Sequence, residues 1–351
     1  MLPFSAPLEP MLAEAQDEIP RGEGWVYEPK WDGFRALVFV EGERVHLCSR
    51  NGQPLERYFP EVVEGLRAAL PGPCVVDGEI ILPGERGLDF DALQARVHPA
   101  ASRVARLSQE TPAGFVAFDL LALEAADWRA RPFAERRQAL EAHFRAHGAF
   151  FVTPQTSRAE EAERWFHDFE GAGCDGVIAR RTELPYASGQ RVMVKVKHGR
   201  TVDCVVGGYR EGKTPGAVGS LLLGLYDEAG VLHHVGHTST FTAKEKRALF
   251  EALQPLRGGE SFGKGRTPDA PSRWSKGRES PWVAVTPTRV CEVRYDFLQG
   301  PRFRHGATFL RWREDKAPAA CTTAQLVPPH PFDLQRLVAM GQGRAHVAPA
   351  E

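Results

Sequence analysis

No cysteine in this 351-residue chain belongs to a Cys-x-x-Cys pair: the six, at 48, 74, 174, 204, 291 and 321, are scattered singly. That spacing argues against a disulfide framework and against the common zinc modules. There is no run of the ~20 apolar residues that a membrane-spanning helix requires. The first twenty residues lack a basic start followed by an apolar stretch, and Pro3, Pro7, Glu9 and Pro10 interrupt any signal-like helix. The expected setting is reducing and cytoplasmic, away from membranes. Internal repeats are missing too, which argues against a solenoid or propeller.

What is present fits an ordinary folded protein of two or three domains, since 42% of the residues are hydrophobic and can fill separate cores. Net charge is only −1, but its distribution is uneven. Residues 1–199 hold 23 Lys/Arg and 30 Asp/Glu, a net −7, whereas 200–316 hold 19 and 13, a net +6. A basic second half suits a polyanionic partner.

Residues 25–50 alternate apolar and polar positions around Gly33 and Glu41-Gly42-Glu43, the pattern of short antiparallel strands and a hairpin. Pro60 opens a helix to Leu70, and 90–97, 132–147 and 159–170 also read as helical, the last with a capping box of Ser157 and Glu160. Strands are expected at 75–76, 80–82 and 115–118. Without a strict strand-helix-strand rhythm, the class is α+β with antiparallel sheets and flanking helices. After residue 200 the texture becomes β segments at 202–209, 219–226, 232–237 and 290–297, with one helix at 242–253 capped by Thr242 and Glu245. This is the layout of a small oligonucleotide-binding barrel. Residues 258–281 read as a long loop with little apolar material beyond Phe262 and Trp274, and 332–340 as a helix in the tail. The expected division is 1–200, 201–328 and a tail, 329–351.

The segment Lys30-Trp31-Asp32-Gly33-Phe34-Arg35 is the strongest chemical signal. In isolation it also reads as a charged Asp-Gly turn. A lysine nucleophile must lose its proton, yet at a pKa of about 10.4 only a fraction near 10⁻³ to 10⁻⁴ is neutral at pH 7. Cationic neighbours, Arg35 and a divalent metal among them, are therefore expected to depress its pKa, and Gly33 to let the backbone turn beside a phosphate. Further segments follow in order: Ser49-Arg50-Asn51-Gly52, Asp77-Gly78-Glu79-Ile80, Phe118-Asp119-Leu120-Leu121, Asp175 to Arg180, Tyr186-x-x-Gly189-x-Arg191 and Lys195-Val196-Lys197. Arg311-Trp312-Arg313-Glu314-Asp315-Lys316 comes last. Taken singly, the Asn-Gly and Asp-Gly segments are plain turns, Phe118 a core residue and the lysine pair a solvated face.

As an ordered set across about 300 residues, these segments resemble the ATP-dependent DNA ligases of the covalent nucleotidyltransferase superfamily, and within them the compact bacterial ligase C group. The resemblance implies a nucleotidyltransferase (ATP-grasp-like) domain followed by an OB-fold barrel. It implies ATP as cosubstrate, Mg²⁺ or Mn²⁺, and nicked duplex DNA sealed through a lysyl-AMP intermediate, in DNA repair. Lys30 becomes the nucleophile, Glu28 a contact of adenine, and Arg35 a contact of the AMP ribose or nick phosphate. Arg50 becomes a phosphate ligand, Glu79 a ribose ligand and metal ligand, Phe118 the ring stacked on adenine, and Lys195 and Lys197 contacts of the ATP phosphates. Asp175 takes the metal position where the family more often has Glu, and Met193 stands where the family often has Trp. Arg313, Asp315 and Lys316 inherit the orienting of pyrophosphate. An RNA ligase or an mRNA guanylyltransferase shares the first step. A non-catalytic nucleic-acid-binding module is the alternative from another class. A monomer is the default, with repair proteins as possible partners.

Overall fold

The computed structural model describes residues 1–85, 87–263, 268, 281–296, 298–326 and 330–343. Most of the expected 258–281 loop, Trp274 included, therefore lies outside the described residues. The chain forms two compact units, Met1–His198 with Pro329–Glu351, and Gly199–Pro328.

In the first unit, the larger sheet runs in the order Phe150–Val152, Gly114–Leu123, Cys74–Ile81, Phe34–Glu41, Arg44–Ser49. All neighbours are antiparallel except the first pair. The run Ala36 to Val40 is apolar throughout because both sheet faces are covered. Ala36, Val38 and Val40 enter one core with Val62, Leu66 and Ala69 of the helix Pro60–Ala69. Leu37 and Phe39 point the other way, into a second core with Met11, Tyr186 and Met193. The segment Asp77-Gly78-Glu79, a turn when read alone, is the middle of the strand Cys74–Ile81. Gly78 is needed there because a Cβ would lie 2.2 Å from the Phe115 ring.

A four-stranded sheet runs in the order Leu12–Gln16, Arg191–Lys197, Gly176–Arg181, Trp25–Pro29, its first pair parallel. The first of these strands has no counterpart among the sequence expectations, nor has the helix Ala101–Glu110, which buries only Val104. Helix Ala159–Asp168 forms where expected but without the Ser157–Glu160 capping box. Arg158 holds the cap position, and just before it Thr156 Oγ1 accepts from the Arg158 N–H (3.2 Å) and donates to Glu161 (2.6 Å).

The second unit is a barrel of five strands, ordered Leu232–Thr238, Val218–Tyr226, Arg200–Glu211, Val290–Tyr295, Thr308–Trp312, all neighbours antiparallel. A single bridge from Thr238 to Ala307 links its first and last strands. Helix Ala243–Leu253 carries the expected Thr242–Glu245 capping box and buries Leu249 and Leu253 against the barrel.

Beyond the barrel the chain rejoins the first unit. Helix Leu334–Gly341 buries Leu334, Leu337 and Val338 with Trp31, Phe151, Trp165 and Phe169, so residues read as a tail complete the core behind the residue next to Lys30. Their i, i+3, i+4 spacing shows an apolar face, but only the fold shows what covers it.

Candidate active site

Lys30 follows the end of the strand Trp25–Pro29 and is pinned by its backbone to a neighbouring strand. Its N–H donates to the Gly176 carbonyl, and its carbonyl accepts from the Asp175 N–H, both at 2.8 Å. This doubled contact brings the side chains together: Lys30 Nζ lies 2.7 Å from Asp175 Oδ2. Lys197, paired in register with Gly176, places its Nζ 2.9 Å from the same oxygen. Gly176 has φ +130°, and a Cβ there would sit 2.0 Å from the Val196 carbonyl oxygen. Gly33 also answers a close approach, since its Cβ would lie 2.1 Å from the Ile80 carbonyl oxygen. The expected role for Gly33, a turn beside a phosphate, gives way to strand packing.

Lys30 faces a cavity of about 210 Å³ in the first unit, with Glu28, Arg35, Arg50, Glu79, Phe118 and Lys195 also in its wall. Seven residues singled out in the sequence are thus brought around one space, with Asp175 and Lys197 bonded at its edge. Ile178 and Met193 supply apolar wall, so the cavity joins a flat hydrophobic surface to a ring of charge. Arg191, quoted in its motif but given no role, also lines it.

The electrostatics correct one expectation. Burial would lower the Lys30 pKa, but the charge of Asp175, its hydrogen bond, Glu79 and Asp32 outweigh it, so the pKa is raised. Arg35, Arg50 and Lys195 share its cavity, but the Asp175 pair prevails over them and the resting lysine is an ammonium. Burial would raise the Asp175 pKa, but Lys30 and Lys197 hold it low. Glu79 is pushed up to about 8 by burial, which Lys30 and Arg35 only partly counter. Lys195 is lowered, first by burial and then by Lys197, Lys30, Arg191 and Arg50.

Arg35 is oriented by a network that the sequence did not disclose. Its Nε and Nη2 donate to Asp77 at 3.0 and 2.6 Å, Tyr186 Oη donates to the same carboxylate at 2.6 Å, and the Met11 N–H donates to Tyr186 Oη at 3.0 Å. The guanidinium stands 5.2 Å from the Phe118 ring centre. A second network runs from two cavity-lining residues, Glu28 and Arg180, into the core behind them. Glu28 is paired with Arg137 at 3.0 Å and Arg180 at 3.1 Å. Arg180 reaches Asp119 at 2.9 Å, and Arg136 meets Asp119 at 2.8 Å, both partners fully buried. Arg180 also lies 5.1 Å from the Phe118 ring centre. Two of these residues were within reach of sequence reasoning, because Asp119 and Arg180 belong to the quoted segments. Arg136 and Arg137 gave no such signal, being ordinary members of a helical stretch.

Asp175 and Glu79 offer hard oxygen ligands, the donor chemistry Mg²⁺ prefers. Among the described residues no three His, Cys, Asp or Glu side chains form a ready metal group. That suits an ion held by one or two carboxylates and completed by phosphate and water.

Arg313, Asp315 and Lys316 belong to the barrel unit. Arg313 Nη1 donates to Asp203 Oδ1 at 2.9 Å, Lys316 Nζ to Asp203 Oδ2 at 2.7 Å, and Arg313 Nη2 to Asp315 Oδ2 at 2.8 Å. The hydrogen bond from Arg313 brings the Asp315 carboxyl down to about 2. Asp203 was not singled out in the sequence, where it is one polar residue inside an apolar strand.

Comparison with known proteins agrees with this layout. A family model described as the ATP dependent DNA ligase domain matches residues 10–197, and one described as the ATP dependent DNA ligase C terminal region matches 214–316. The DNA ligase C2 of Mycolicibacterium smegmatis is 50% identical over 345 residues, covering 94% of this chain and 97% of that protein. A multifunctional non-homologous end joining DNA repair protein, LigD of Mycobacterium tuberculosis, is 31% identical over 302 residues, covering 84% of this chain but 37% of its own length. A solved Lig E DNA ligase shares the fold, with a TM-score of 0.56 at 21% identity, covering 86% of this chain and 99% of that one. Matched in both halves by ligase models and along nearly all its length by a ligase C enzyme, the chain belongs to the ATP-dependent DNA ligases.

Proposed function

We propose that this ligase seals 3′-hydroxyl/5′-phosphate nicks in duplex DNA through AMP carried on Lys30. The observation that carries the proposal is Lys30 Nζ, bonded to Asp175 at 2.7 Å on the wall of a cavity that also presents Arg35, Arg50 and Lys195. In the first step Lys30 gives up a proton, its Nζ bonds to the α-phosphorus of ATP, and pyrophosphate leaves with the electrons of the broken P–O bond. In the second, an oxygen of the 5′-phosphate displaces Lys30 from that phosphorus. In the third, the 3′-hydroxyl attacks the 5′-phosphorus, AMP departs and the strand is closed.

Each step moves negative charge around a phosphorus, so preorganised cations provide the main stabilisation. Arg50, Lys195 and Lys197 are assigned to phosphate oxygens, with Lys195 and Lys197 two positions apart on one strand. Phe118 is assigned to the face of adenine, Glu28 to its edge, Glu79 to the ribose and Arg35 to the ribose or nick phosphate. Arg313 and Lys316 are assigned to pyrophosphate during adenylylation, with Asp315 acting through Arg313. Asp175 and Glu79 would hold a divalent cation, which would supply positive charge beside the α-phosphate. Asp175, once engaged in that way, would hold the Lys30 proton less tightly.

A role in DNA repair is part of the proposal, supported by the likeness to the LigD repair protein. So are a cytoplasmic location and a monomeric state; all six cysteines are buried free thiols, as a reducing compartment allows. The test is incubation with ATP, Mg²⁺ and a singly nicked duplex. Joined strands and an AMP adduct on the protein are expected, and an unjoined nick with no adduct would refute the assignment.

A further inference from the structure

The terminal motif contains the cations assigned to pyrophosphate, but the sequence does not show what holds them. In the barrel, both converge on one residue of the strand Arg200–Glu211. Asp203 is only 8% exposed. It accepts Arg313 Nη1 at 2.9 Å on Oδ1 and 3.0 Å on Oδ2, and Lys316 Nζ at 2.7 Å on Oδ2. Gln325 fixes the arrangement: its Nε2 donates to the Asp203 carbonyl at 3.1 Å, and its Oε1 accepts from Lys316 Nζ at 3.1 Å and from the Asp203 N–H at 3.3 Å.

The opposite edge of Arg313 has a different partner. Nε and Nη2 form a parallel pair of bonds to Asp315, at 2.9 and 2.8 Å, and the Asp315 side chain is 65% exposed. A fork of this kind fits carboxylate and phosphate alike. An exposed pair is weakly held, whereas a sheltered, multiply bonded carboxylate is costly to disrupt. The guanidinium thus has a fixed inner edge and an exchangeable outer one.

We infer that Asp203 is the positioning residue of the terminal motif: it anchors Arg313 and Lys316 from within the barrel, leaving the outer edge of Arg313 to exchange Asp315 for a pyrophosphate oxygen. This rests on the proposed assignment of Arg313 and Lys316 to adenylylation. Without the anchor, two long cationic side chains regain rotamer freedom that must be lost again at each encounter with ATP.

The test uses the full chain and two assays, adenylylation by ATP with Mg²⁺ and sealing of a pre-adenylylated nick. Asp203→Asn is expected to slow adenylylation by about 10-fold to 10²-fold, the scale for misplaced reacting groups. Sealing of the pre-adenylylated nick should stay within about twofold. In an Arg313→Ala, Lys316→Ala background, adding Asp203→Asn should slow adenylylation no further, because a positioning role has nothing left to position. Equal losses in both assays, an additive loss in that background, or no loss would overturn the inference. Should Asp203→Asn not fold, Gln325→Ala carries the test, with a smaller loss expected in adenylylation alone and the same outcomes overturning it. If Arg313→Ala and Lys316→Ala leave adenylylation unchanged, the assignment beneath the inference fails first, and the inference with it.

Discussion

The two units each place two cations on one sheltered aspartate, and the chemistry separates them. Asp175 receives Lys30 at 2.7 Å and Lys197 at 2.9 Å; Asp203 receives Lys316 at 2.7 Å and Arg313 at 2.9 Å. On the proposed assignment one of the cations in the first unit must become a neutral nucleophile, and there the ion pair favours the protonated lysine. In the barrel, Arg313 keeps its proton at any accessible pH, and neither cation is assigned as a nucleophile, so on the inference above the same arrangement orients. One ion-pair geometry therefore yields a proton-linked site and a proton-independent one.

The comparison would break first at Asp175. Asp175→Asn removes a proposed metal ligand and should lower the maximal adenylylation rate by about 10²-fold to 10³-fold, the range for losing one preorganised electrostatic group. It also removes the leading cause of the raised Lys30 pKa, leaving burial to lower it. The wild-type rate should rise with pH as Lys30 deprotonates, and in Asp175→Asn the rise should come at lower pH. A single-turnover pH profile of each protein checks this, and an unchanged midpoint would show that the pair does not set the proton affinity.

Arg313→Ala should have the next largest effect, slowing adenylylation by about 10-fold to 10²-fold. It should leave the pH profile where it was and the sealing of a pre-adenylylated nick intact. A shifted profile would mean that the barrel site is proton-linked after all.

The smallest effect is expected at Glu79, the buried acid beside Lys30. Its pKa of about 8 lies above the ~4.3 of an unfolded chain. Between these values the folded state holds a proton that the unfolded state releases, so this group erodes stability as pH rises from about 4.3 to 8. Glu79→Gln should melt higher than wild type at pH 8 and differ little at pH 4, while adenylylation falls. Melting curves across that range decide it, and equal melting temperatures at pH 8 would contradict the burial account.

Much of the site was legible in the sequence because its residues lie in short segments with distinctive order. Lys30, Glu79, Phe118 and Lys195 come from four separate strands or strand ends, yet each could be named from its local string. What local strings do not encode is partnership. The Lys30–Asp175 pair spans 145 positions and the Arg313–Asp203 pair 110. The lysine's pKa was accordingly expected to fall, whereas the pair with Asp175 raises it despite the cations that line the same cavity. The Thr242–Glu245 cap formed as read, while Ser157–Glu160 did not, because the helix starts one residue later, with Arg158 at the cap, and Glu160 accepts from Arg21 instead. The returning helix Leu334–Gly341 showed its apolar face but not the surface that receives it, since that surface is assembled from segments far apart in the chain, among them Trp31, Val116, Phe151 and Trp165.

The most direct test is the intact mass of wild type and Lys30→Ala after incubation with ATP and Mg²⁺. The wild type should gain the mass of one AMP and Lys30→Ala none, while an adduct on Lys30→Ala would contradict the assignment of Lys30 as the nucleophile.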